Sequence, residues 1–113
     1  MTEHRTLAAG RWSQLTLAEQ LANVGSEVDR AIAAWTARRD DRFERALARA
    51  LELFDLTATD HRWRGARRRE ILRAREEVCR LFFDPDSPDT AALSLSRYFL
   101  QFAVLARMNA RSA

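Results

Sequence analysis

The chain has 113 residues, 47% of them apolar and 31% charged, with a net charge of +3. That length holds one domain, and that balance excludes a disordered chain. Three Gly and two Pro are too few for the turns of a β-sandwich or barrel, so an all-α fold is expected.

All 19 basic residues are Arg, alongside 20 Ala, a bias that a GC-rich genome produces by itself. A charge of +3 does not by itself imply nucleic acid. A single cysteine, Cys79, excludes an intrachain disulfide and a multi-Cys metal site. The first ten residues hold no apolar run longer than Leu7-Ala8-Ala9, so no signal peptide is expected. No stretch approaches the ~20 apolar residues of a membrane span. These features predict a cytoplasmic protein with no membrane, metal or cofactor requirement.

Residues 1–12 carry no periodicity and are expected to be flexible, ahead of one helical domain over 13–110. Thr16 and Glu19 have capping-box spacing and open the first helix. Its apolar stripe is Leu17, Leu21, Val24, Val28, Ile32 and Trp35. Gly25 lies off the stripe's centre, where it permits close approach of a neighbouring helix. After the break Arg38-Arg39-Asp40-Asp41, Asp41 and Glu44 repeat the capping spacing. The second stripe is Phe43, Leu47, Ala50, Leu51, Phe54 and Ala58. Asp60 is expected to cap a third helix, whose stripe is Ile71, Ala74, Val78, Leu81 and Phe82. Two prolines make residues 84–89 a loop, with Ser87 as cap and Pro88 as first helical residue of a fourth helix running to about Met108. Short connections between four helices predict an up-down-up-down four-helix bundle.

The fourth helix is apolar nearly all round. From Ala91 to Ala106 only Ser94, Ser96, Arg97 and Gln101 are polar among its helical residues, leaving aside the phenol of Tyr98. Leu95, Phe99, Phe102, Ala103 and Ala106 make one face, with Leu93, Leu100 and Val104 on one flank and Tyr98 and Leu105 on the other. A helix this apolar is either overlaid by the other three or buries its spare face against a second copy, and self-association is the stronger expectation.

Two charged features stand out. Arg75 falls within the third apolar stripe and must pair or reach solvent. Asp55 and Glu27 are candidate partners in a buried ion pair; the competing reading is an anion site of Arg75 and Arg68. From Arg62 to Arg80 the chain carries eight Arg against three Glu. Arg62, Arg69, Arg73 and Arg80 share an outward face, and Trp63 beside them could stack on a base, which makes nucleic acid a candidate partner alongside protein. The competing readings are a solvated helix face and a tryptophan at the edge of the core.

Enzyme signatures are missing. Only His4 and His61 are available, and there is no Gly-rich phosphate loop, G-x-S-x-G or Glu-x-x-His. A non-enzymatic interaction or accessory protein is expected.

The run Thr16-Leu-Ala-Glu-Gln-Leu-Ala-Asn-Val-Gly-Ser-Glu-Val28 resembles the opening of a family of small uncharacterised prokaryotic all-helical proteins. The likeness continues through 43–47, 50–57, 70–76, Tyr98-Phe99, Phe102-Ala103 and Ala106-Arg107 and covers most of 16–107. It implies a helical fold and adds no catalytic residues. In general shape alone, small basic helical bundles also include accessory proteins of retroelement reverse transcriptases.

Overall fold

Thr16 and Glu19 close a reciprocal cap at the start of the first helix, α1 (Leu17–Thr36). The Glu19 N–H donates to Thr16 Oγ1 at 3.1 Å and the Thr16 N–H donates to Glu19 Oε1 at 2.9 Å. The structure is a computed structural model that describes residues 10–112. Every regular element among them is helical: α1, α2 (Asp40–Ala58), α3 (Ala66–Phe83) and α4 (Ala91–Ser112). Of the expected flexible segment 1–12, residues 1–9 lie outside the described residues. Gly10–Trp12 is helical, and Trp12 is part of the core.

α1 ends in a tight turn. The Arg39 N–H donates to the Ala34 carbonyl and the Arg38 N–H to that of Trp35. Arg38 takes the left-handed position of this cap with φ +56°, a place glycine usually fills. α2 follows at once, so Asp41 is not its cap. Asp40 and Asp41 instead lie in the first helical turn, where carboxylates favour the positive end of the helix dipole.

Asp60 does not cap α3 either. It folds back on its own turn, accepting from the Arg62 N–H, and the position before α3 is taken by Gly65, whose φ of +59° and ψ of −125° suit only glycine. Ser87 likewise does not open α4. The loop closes on Asp84, which accepts from the Asp86 and Ser87 N–H groups, and the helix begins three residues after Pro88.

α1 packs on α2 and α4, and α3 on α2 and α4, with α1 making the most intimate contacts. Each stripe contributes to one core, centred on Val24 and Val28, Ala50 and Phe54, Ile71 and Val78, and Leu95 and Phe99. At Gly25 α1 and α4 approach closely. A Cβ at that position would collide with Cβ of Phe99 and stand 2.9 Å from its Cγ. Phe99 in turn meets Phe54 edge-on at 6.1 Å between ring centroids. At the other end Phe82 stands edge-on to both Phe43 and Trp35.

Candidate functional site

α4 is not overlaid. It buries Leu95 and Phe99 against α1 and α3, packs Ala91, Ala92 and Tyr98 at the edge of the core, and leaves several large apolar side chains facing outward. Leu93, Leu100, Val104 and Leu105 are between 45% and 60% exposed. The reading in which the other three helices cover α4 is therefore excluded, because α4 packs chiefly on two of them, α1 and α3. Tyr98, expected on the same outer surface, is half-buried. Its ring packs against Phe99 and Phe102, and its hydroxyl donates to Glu70 Oε2 at 3.1 Å. Burial, with the Glu70 charge beside it, pushes the phenol pKa well above its ordinary value.

The Arg face expected on the third helix is only partly assembled. Arg62 lies before α3, not on it. Its guanidinium donates to both oxygens of Asp60 and to the Leu15 carbonyl at 2.6 Å. Trp63 does not stack outward: it is buried, its Nε1 donates to Gln20 Oε1 at 2.7 Å, and the Arg62 and Arg67 guanidinium groups cover its ring. A base has no face of this tryptophan to stack on. Arg80 pairs with Glu77 at 3.4 Å and Glu76 at 3.9 Å. Arg69 and Arg73 are exposed.

Arg75 meets Asp55 as anticipated, Nε to Oδ1 at 3.1 Å. The pair is not buried, since the Asp55 side chain is 64% exposed, and it lies on the α2–α3 flank. Glu27 is engaged elsewhere, holding Arg30 one turn on and Arg49 across on α2. Arg68 is exposed. The four residues thus do not converge on an anion site inside the bundle.

Sequence reasoning missed a buried polar network at the end of the bundle where α1 begins. Gln20, fully buried, donates from Nε2 to the Trp12 carbonyl and to Asp60 Oδ2, each at 2.9 Å. With Trp63 on its Oε1, this one side chain joins the pre-α1 segment, α1 and the α2–α3 connection. Trp12 Nε1 adds a hydrogen bond to Thr57 Oγ1 at 3.0 Å. The Arg62 hydrogen bonds hold the Asp60 carboxyl well below the usual carboxylate range and raise the Arg62 pKa in return. The signal was present: position 20 falls between Leu17 and Val24 on the inner side of α1. Every buried side-chain polar atom among the described residues has a partner, so the network acts as a structural tie.

A groove of about 610 Å³ runs between α3 and α4, with Ala74, Ala91 and Leu95 on its floor and Glu70, Arg73, Glu77 and Arg80 among its rim residues. Among the described residues no three His, Cys, Asp or Glu side chains group to hold a metal ion, and no helix is long and apolar enough to cross a membrane. His61 lies in the exposed α2–α3 connection and Cys79 on the half-buried flank of α3. No family profile, curated protein or solved structure matches this chain.

Proposed function

We propose that this chain is a non-catalytic, up-down-up-down helical bundle that assembles with copies of itself through the outer face of α4 and serves as an interaction or accessory module of the cytoplasm. The alternating contacts Arg49–Glu27, Arg75–Asp55, Tyr98–Glu70 and Ser96–Asp29 support the bundle connectivity. The likeness of its opening to the small prokaryotic helical family belongs to the same reading.

The observation that carries the proposal is the exposure of Leu93, Leu100 and Val104 along one flank of α4, with Leu105 exposed on the other. Scattered exposed leucines are ordinary on a protein surface, but a contiguous apolar helix face is an association surface. Positions 93, 97, 100 and 104 alternate steps of four and three, the spacing of a two-helix seam. Three of the four are Leu or Val, and Arg97 is the exception. α4 has no acidic residue, so a parallel pairing would stack its arginines. An antiparallel crossing centred on Leu100 sets Arg97 of one copy against Val104 of the other and keeps like charges apart, as a two-fold axis allows.

Leu100→Glu combined with Val104→Glu tests this by chromatography with light scattering. The native chain is expected to elute as a multimer and the double variant as a monomer. Equal mass for both would refute the proposal.

A further inference from the structure

A second arginine-rich surface lies away from α3. Arg39, Arg42, Arg45 and Arg49, the latter three at steps of three and four along α2, line a groove of about 440 Å³ together with Arg30 of α1. No carboxylate lines it. Arg30 and Arg49 share Glu27 at one end. Arg39, Arg42 and Arg45 make no ion pair among the described residues and are exposed. Like charges at these helical spacings repel, so the row is a source of strain that an anion relieves. The floor is alanine, with Ala34 and Ala46 buried between the helices.

We propose that this α1–α2 groove binds the phosphate backbone of duplex nucleic acid, with Arg39, Arg42 and Arg45 as the phosphate contacts. The chemistry of the walls selects this occupant. Guanidinium forks match phosphate oxygens and stay charged at any physiological pH. A protein partner gains its energy from aromatic or branched side chains sunk in pockets, and an alanine floor offers none. Single strands are held by aromatic platforms on which bases stack, and no aromatic side chain lines the groove. A backbone of regularly spaced phosphates needs neither. The site is separate from the outer face of α4, so it stands or falls independently of self-association.

Fluorescence anisotropy with a labelled mixed-sequence duplex tests the assignment, in DNA and RNA arms that share the phosphate chemistry and separate the two sources. Three phosphate contacts give a slope of log affinity on log salt of about −2.7, a loss of roughly 40-fold between 50 and 200 mM salt. Arg42→Gln with Arg45→Gln is expected to flatten the slope to about −1 without lowering the thermal midpoint, both side chains being exposed and their mutual repulsion removed. Arg69→Gln with Arg73→Gln on α3 is expected to bind like the native chain. The proposal is overturned by no duplex retention at 50 mM salt, by loss through the α3 pair in place of the α2 pair, by tighter binding of a single strand, or by preference for polyglutamate over duplex at equal charge.

Discussion

Gly25→Ala probes the contact on which the α1–α4 arrangement rests. In an open helical position this change stabilises by about 1 kcal/mol, because alanine is the better helix former. Here the added methyl would run into Cβ of Phe99 and lie 2.9 Å from its Cγ. The obstacle is an atom fixed to the α4 backbone, so no rotamer change removes it and the helices must separate. Overpacking of this kind costs about 1–3 kcal/mol, and a backbone obstacle places it at the upper end. Subtracting the helix-propensity gain leaves a net loss of about 2 kcal/mol. With an unfolding entropy of about 2.1 cal/mol/K per residue, that lowers the thermal midpoint by roughly 8 °C. Circular-dichroism melts at one fixed protein concentration read the effect, since association makes the midpoint concentration-dependent. Gly10→Ala is the control, because a Cβ there meets nothing within 4 Å, and it is expected to be neutral or slightly stabilising. A rise in midpoint for Gly25→Ala would refute the close approach of α1 to α4.

Gln20→Leu leaves the buried Trp63 Nε1 without its acceptor and removes one of the two donors to each of the Trp12 carbonyl and Asp60 Oδ2, and is expected to cost about 2 kcal/mol in urea unfolding; a loss below about 1 kcal/mol would contradict the network. Asp60 has a folded pKa below its unfolded value of about 3.9, so its stabilisation is present above that pH and lost as pH falls through the folded pKa. The stability gap between the native chain and Arg62→Gln should therefore narrow between about pH 5 and pH 2, and a constant gap would show that Arg62 acts only by packing on Trp63. Tyr98 is the only tyrosine, so tyrosinate absorbance reports it alone. Its raised pKa means that the folded chain should not titrate near the ordinary value of about 10, and that stability should fall as pH rises above it; ordinary titration of the folded protein would contradict its burial against Glu70.

What was legible in the sequence was whatever depends on neighbours three or four residues apart. The Thr16–Glu19 cap, the apolar stripes and the close approach at Gly25 all follow from that spacing. Helix starts were less legible. α2 and α3 begin without a side-chain cap, and the residues with capping potential, Asp41 and Asp60, serve a helix dipole and a local turn instead. Charge partners divided the same way. Asp55 reached Arg75, but Glu27 had Arg30 one turn away on its own helix and Arg49 opposite. Trp63 looked available for stacking because it sits in an arginine run, and only the fold places Gln20 against its indole N–H. The excess apolar surface of α4 was readable, yet which side stays uncovered depends on the two helices flanking it. The α1–α2 arginine groove was hidden because Asp40, Asp41 and Glu44 dilute the charge in sequence while none of them lines the groove.

The outer face of α4 as a contact between copies is the claim on which the functional reading rests. Sedimentation equilibrium of the unaltered chain at micromolar concentrations tests it most directly. The account predicts twice the 13.0 kDa chain mass or a larger multiple, and a single species of 13.0 kDa across that range would contradict it.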